Sequence, residues 1–328
     1  MKTYILRRVV QALLILFLLS IASFTIIQLP PGDYLTTYIA QLRQSGADIT
    51  EDRIAALEQR YGLGKPMIVQ YGMWMQGMLL EGDMGMSFHW NRPVSLLLRQ
   101  RVPLTLAVSL ATIIFTYLVA IPIGIYSATH QYSVGDHVFT GIGFIGIATP
   151  NFLLALALMY LSVRYLGGSV GGLFSREYAD AAWSLAKVWD LMKHLPIPVI
   201  VVGTAGTASI IRVMRGSLLD ELQKQYVETG RAKGVSERRL LYKYPVRISI
   251  NPLVSSMAWL FPAIISGGVI TAIVLNLPTV GPLLLEALRN QDMFLAGGIV
   301  MILGALTVIG TLISDMLLVW LDPRIRFD

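Results

Sequence analysis

Apolar positions along the chain gather into six long blocks: 9–29, 103–129, 138–166, 196–213, 251–275 and 294–320. A hydrocarbon layer is crossed by about 20 apolar residues in helical form. Only a helix satisfies its own backbone polar groups within one such segment. The pattern therefore predicts an all-α membrane protein with six transmembrane helices. The fourth block is the weakest, because Pro196 and Pro198 open it and Gly203 and Gly206 lie inside it. Proline in a first helical turn is tolerated, since those amides have no helical partner. The first block follows Lys2, Arg7 and Arg8. Its apolar run is longer than a signal-peptide core, and no small-x-small cleavage site precedes Pro30 and Pro31, so it reads as a retained helix.

The polar stretches are unequal. Residues 30–102 are mixed in character, with helical patterning at 50–60 and 66–80. Thr50 suits an N-cap there, with Arg53 rather than Glu at N3, so no capping box forms. Residues 167–195 open on Gly167, Gly168, Gly171 and Gly172. The part at 174–194 reads as a short helix on the membrane surface, with Trp183 and Trp189 at the interface. Residues 214–250 are the most charged part of the chain.

Composition agrees with the span pattern: the 328 residues are 55% hydrophobic and 14% charged, with mean hydropathy +0.62. Soluble domains carry about a quarter charged residues. There is no cysteine, which excludes disulfides, thiolate metal sites and Cys nucleophiles. His89, His130, His137 and His194 show no zinc-type spacing. The net charge of +6 is explained by orientation rather than by nucleic acid. Lys2, Arg7 and Arg8, the cations of 212–250 and Arg324 and Arg326 fall on one side of a six-span scheme, which places both termini in the cytoplasm. The same scheme makes 31–102 a large extracytoplasmic loop. It also puts the 130–137 turn inside, although that turn carries no Lys or Arg.

Enzyme signatures are missing. The nearest approach to a phosphate-binding loop, Gly62-Leu63-Gly64-Lys65-Pro66, has the wrong spacing and no hydroxyl. No G-x-S-x-G or HExxH occurs, which disfavours an intramembrane hydrolase. A channel or secondary transporter would be expected to show mid-span functional charges or inverted repeats. Neither stands out; Asp315, inside the sixth block, reads as a structural intramembrane charge paired with a cytoplasmic-end arginine such as Arg212 or Arg215.

Residues 225–251, QYVETGRAKGVSERRLLYKYPVRISIN, read as two short helices joined at Gly234. Gly234 suits a helix C′ position with positive φ, and Ser236 suits the cap of a second helix starting near Glu237. Val235, Leu240 and Leu241 fall beside the charges, as in a helix that docks into a protein groove.

YVETGRAKGVSERRLL resembles the E-A-A-x-x-x-G coupling loop of ABC importer permeases. Thr229 and Gly230 replace its alanines, Gly234 is its glycine, and Arg247 stands where its later proline is usual. YILRRVVQALLILF, LPPGD (29–33), EGDMGMSF (81–88), ATPNFLLAL (148–156) and LDPRIR (321–326) resemble motifs of the dipeptide/oligopeptide branch of that family, in the same order. The resemblance implies a type I importer permease fold: a first helix in 1–30, an extracytoplasmic scoop at 31–102, and a permease core at 103–328 holding the coupling segment 214–250. It implies a transport subunit, not an enzyme, in the cytoplasmic membrane of a prokaryote. Its partners would be membrane lipid, a related but different second permease, two ATPase subunits and an extracytoplasmic substrate-binding protein. The chain itself would bind no cofactor; ATP and Mg²⁺ would be used by the ATPases. Glu228, Thr229, Gly230, Lys233, Gly234, Val235, Ser236 and Arg238 would form the ATPase-coupling surface. Peptides are the first substrate expectation, oligosaccharides the second and metal chelates the third.

Overall fold

The computed structural model describes residues 2–28, 59, 65–87, 89–166 and 171–321. All but residue 59 of the helix expected at 50–60, the LPPGD motif and all but the first residue of LDPRIR lie outside these residues.

Helix α1 runs Lys2–Gln28 and α2 runs Met67–Gln76, prolonged by a π-helical turn at Gly77–Glu81. Two short antiparallel strands, β1 (Met86–Ser87) and β2 (Arg92–Pro93), lead into α3, Val94–Thr129. Then follow α4 (Val134–Ala148), α5 (Asn151–Leu166), α6 (Leu185–His194) and α7 (Pro196–Leu222). Three short helices come next: α8 (Gln225–Ala232), α9 (Glu237–Lys243) and α10 (Pro245–Ser249). The chain continues through α11 (Asn251–Gly267), α12 (Val269–Val274), α13 (Val280–Arg289) and α14 (Met293–Leu321).

Among the described residues four helical stretches are long and apolar enough to cross a membrane: Leu6–Gln28, Val94–Thr129, Pro196–Leu222 and Met293–Leu318. The expected third block is not one straight helix. It breaks at Thr149 and Pro150, and α4 and α5 are bent by 106°. Proline lacks the amide needed to continue the ladder and pushes the preceding residue out of helical geometry; Thr149 is extended, at φ −85° and ψ 119°. The expected fifth block divides at Gly268, leaving α11 at 17 residues. Two helices outrun their blocks. The second starts at Val94 because Val94, Leu97 and Leu98 are buried, at 0, 3 and 4% exposure. The fourth continues to Leu222 instead of yielding to a charged loop at 214, because Ile210, Met214 and Leu218, four apart, are all fully buried.

The chain divides into two compact units, Met1–Pro103 with Leu283–Val308, and Leu104–Pro282 with Ile309–Asp328. In the first, the EGDMGMS motif builds a tight hairpin. Asp83 Oδ1 accepts from the Gly85 amide at 2.9 Å. Gly85, at φ +90°, lies flat against Phe294, where a Cβ would come within 2.7 Å of the ring. The Ser87 hydroxyl donates to Asp292 Oδ2, and Asp292 Oδ1 accepts from the Leu295 amide in the first turn of α14. Burial pushes the Asp292 carboxyl above its usual range, against these donors. His89 Nε2 reaches Glu286 at 3.3 Å.

In the second unit α7 is the hub, with α4, α5, α10 and α11 packed on it. Small residues permit the approach. A Cβ at Gly203 would lie 2.9 Å from Phe115, and one at Gly124 would lie 2.6 Å from the Met214 side chain. Helix α6 occupies only Leu185–His194 of the stretch 174–194 expected to hold a short surface helix, and it has inverted polarity. Lys187 and Asp190 are buried, while Leu185, Val188, Trp189 and Met192 are exposed, Leu185 at 91%. The Lys187 ammonium donates to the Ala179 and Ala181 carbonyls at 3.3 and 2.6 Å. Asp190 accepts from the Ser175 amide and hydroxyl at 2.7 and 2.6 Å. Charges turned inward and an aliphatic and tryptophan face turned outward suit an apolar surround at that face.

Candidate coupling segment

The segment after α7 takes the two-helix form expected of it. Helix α8 ends in a Schellman turn. The Val235 amide donates to the Gly230 carbonyl at 3.1 Å, and the Gly234 amide to Arg231 at 2.9 Å. This closure needs a left-handed residue at C′, and Gly234 supplies it at φ +73°. A Cβ at Gly234 would meet nothing within 4 Å, so its requirement is backbone conformation rather than space. Ser236 sits at the N-cap of α9 as expected, but its side chain makes no cap hydrogen bond. Instead the turn is clamped from outside, where Arg231 Nε meets Glu237 Oε1 at 2.7 Å and Nη2 meets Oε2 at 3.3 Å.

Two apolar side chains fix this hairpin to the rest of its unit. Val227 is fully buried and Leu240 is 2% exposed. Gly230 lets them close, because a Cβ there would fall 2.5 Å from Leu240 Cδ1. Leu241 packs against the core that holds Ile210, Met214 and Leu218. Leu240 is therefore turned inward and Leu241 packs half-buried against that core, contrary to the expectation that they belong to a partner-facing surface; Val235 is half-buried at the turn. Tyr226 ties the start of α8 to α7 through a 2.6 Å hydrogen bond from its hydroxyl to Glu221. Burial first, and this neighbouring carboxylate second, raise the Tyr226 phenol well above its usual range.

Of the residues expected to couple to an ATPase, Glu228, Thr229, Lys233, Gly234, Ser236 and Arg238 are exposed, and Gly230 and Val235 are half-buried. They cluster around one turn. The Thr229 hydroxyl is spent on its own helix, bonding the Gln225 carbonyl at 2.9 Å. A groove of about 330 Å³ lies alongside, walled by Ala128 and Thr129 at the end of α3, by Val227 and Leu240, and by Arg231 and Arg238. Sequence reasoning missed Val227, Tyr226 and the Arg231–Glu237 clamp. Opposite charges flanking a glycine turn were the available signal for the clamp.

Asp315 stands half-buried on α14. Arg215, one of the partners expected for it, is engaged by Asp136 at the start of α4, at 3.0 Å. The Arg212 guanidinium lies 5.8 Å from the Phe144 ring centre.

Among the described residues no group of His, Asp and Glu is placed to hold a metal ion. What the geometry provides is mechanical: an exposed, charge-rich turn, stiffened by a Schellman closure and an ion pair, seated on the end of a long apolar helix.

Comparison with known proteins gives the family. Residues 120–327 match the family of binding-protein-dependent transport system inner membrane components, and residues 1–111 match the family describing the N-terminal part of such membrane components. The chain is 34% identical over 330 residues to an oligopeptide transport system permease protein of Bacillus subtilis, covering all of both chains. It is 28% identical to a dipeptide transport system permease protein of Alkalihalophilus pseudofirmus, again over all of both. It is 27% identical to a nickel import system permease protein of Staphylococcus aureus, over 98% of this chain and 91% of that one. With both family matches spanning it nearly end to end, the chain belongs to the inner membrane components of binding-protein-dependent transport systems, the permease subunits of ABC importers.

Proposed function

We propose that this chain is one of two permease subunits of an ATP-driven importer of peptides, and that the α8–α9 turn is the lever through which a separate ATPase subunit moves it. The exposed turn, tied to α7 by the Tyr226–Glu221 hydrogen bond and through Leu241 packed against the core of Ile210, Met214 and Leu218, carries this reading. A push on Glu228, Lys233 or Arg238 would act on a short, clamped hairpin and pass into α7, the hub of its unit, instead of dissipating in a loose loop. Peptides are favoured as substrate because full-length relatives are named for oligopeptide and dipeptide transport. The captured solute would be delivered by an extracytoplasmic binding protein, and ATP with Mg²⁺ would be consumed by the partner ATPases.

Six crossings complete the scheme: the four long helices, the bent α4–α5 pair, and α11 with α12. The cations of α8 to α10 and those of the N-terminus then share the cytoplasmic side, as the charge rule for short inner segments requires. The second permease would be a related chain.

The test is uncoupling. In proteoliposomes holding the whole transporter and its binding protein, Gly234→Val should leave the subunits assembled and ATP hydrolysis measurable while uptake of labelled peptide falls by about tenfold or more. The β-branched residue is strained at positive φ. Uptake equal to the parent in that variant would remove the lever from the mechanism.

A further inference from the structure

The exposed face of α9 and α10 differs in kind from the coupling turn. Arg239, Lys243 and Arg247 recur every four residues and are all exposed. Beside them stand Tyr242, Tyr244 and Ile248, 55, 41 and 43% exposed. The Lys243 ammonium lies 5.4 Å from the Tyr244 ring centre. The opposite side is committed to the chain's own core through Leu240, Val246 and Ser249. Between Arg238 and Asn251 the sequence has no Asp or Glu, and the nearest preceding carboxylate, Glu237, is held by Arg231.

This face is juxtamembrane by connectivity. Helix α10 runs into the apolar α11 through Ile250, whose amide donates to the Val246 carbonyl and whose carbonyl accepts from the Val254 amide. Arg247 is thus about 6 Å along a helix from the start of α11. Exposed tyrosines and an isoleucine interleaved with cations are a poor match for bulk water. They match the boundary where aromatic rings sit among headgroups, and basic clusters immediately cytoplasmic of a span are attracted to anionic lipid.

We propose that the α9–α10 stripe of Arg239, Lys243 and Arg247 binds headgroups of anionic phospholipids in the cytoplasmic leaflet, with Tyr242 and Ile248 seated among them. It would pin the base of the lever to the membrane and leave the Gly234 turn for the ATPase. The inference rests on the orientation proposed above.

The test uses the assembled transporter in nanodiscs of phosphatidylcholine with and without phosphatidylglycerol. Wild type should retain phosphatidylglycerol preferentially through delipidation, read by mass spectrometry of the extracted lipid, and less so in high salt. Each surface cation contributes about a fivefold preference, so R239Q, K243Q and R247Q together should lower it on the order of a hundredfold. The charge-retaining triple lysine/arginine exchange should preserve it. Retention unchanged in the glutamine variant overturns the proposal, as does equal retention of the two lipids by wild type. It is also overturned if the glutamine variant sheds its ATPase subunits while keeping phosphatidylglycerol, because the stripe is then a protein contact. A single cysteine at Tyr242 separates the two readings: labelling from outside defeats the orientation itself, whereas inside labelling with no lipid preference defeats only the lipid site.

Discussion

Arg215 on α7 and Asp136 in the first turn of α4 meet at two points, Nε to Oδ1 at 3.2 Å and Nη2 to Oδ2 at 3.0 Å. The carboxylate is 5% exposed and the guanidinium 30%. Asp136 also accepts from the Tyr132 amide at 3.1 Å, and its own amide donates to the Ser133 hydroxyl at 3.2 Å. One carboxylate thus closes the 130–137 turn and locks α4 to the C-terminal part of α7, ahead of the α8–α9 hairpin. That turn holds no Lys or Arg of its own, and the cation it needs comes from across the helix interface.

Removing one partner of this pair leaves the other charge poorly compensated, which costs about 3 kcal/mol in partly buried sites. Asp136→Ala should therefore lower the unfolding temperature of the purified protein by several degrees. Arg215→Met should do less harm than Asp136→Ala, since it leaves a carboxylate still served by a backbone amide. The double variant should be less damaged than the sum of the two. Thermal unfolding of the three variants measures this, and additive losses would show that the two residues do not interact.

Gly230 and Leu240 form a second coupled pair. Gly230 leaves room beside α9, and Leu240 fills it, with Cδ1 only 2.5 Å from where a Cβ would stand. Gly230→Ala should cost about 1–3 kcal/mol by overpacking. In a Leu240→Ala background the same change should be nearly neutral. Stability measurements around that double-mutant cycle should give a coupling of about 1 kcal/mol or more.

The fold of α6 should respond to acid. Burial pushes the Asp190 carboxyl up, but the two Ser175 donors, with His194 and Lys193, outweigh it and hold the group below the usual carboxylate range. A folded-state value below the unfolded one means the carboxylate adds stability above its ordinary value of 3.8, and that stability is lost as pH falls toward the lower, folded value. Asp190→Asn should therefore destabilise this region near neutral pH and flatten its loss of protection between about pH 5 and pH 3. Hydrogen exchange of residues 185–194 across that range reads the difference.

Spans with unbroken apolar runs were legible in the sequence, and α14, at Met293–Leu321, falls almost where its block lies. The helix–glycine–helix form of 225–243 was equally legible, because Gly234 and the polar run around it are local signals. The end of α7 was not read correctly, since Arg215, Asp220 and Glu221 suggested a loop. The apolar stripe of Ile210, Met214 and Leu218 continued through them and decided the matter. Leu240 was misjudged for a related reason: on a seven-residue helix, sequence alone does not say which side faces its own chain. Asp136 as the partner of Arg215 was out of reach, because 79 residues separate the two and nothing local joins them.

The reading as a whole turns on whether the Gly234 turn touches an ATPase inside the cell. The chain has no cysteine, so a single Ser236→Cys places one thiol on the turn without competing sites. In membranes holding the complete transporter, a short bifunctional reagent should join that thiol to the ATPase subunit, with a yield that changes when ATP is added, while an impermeant thiol reagent applied from outside leaves it untouched. Labelling from the outer face, or no cross-link to any ATPase subunit in a transporter that still imports peptide, would contradict it.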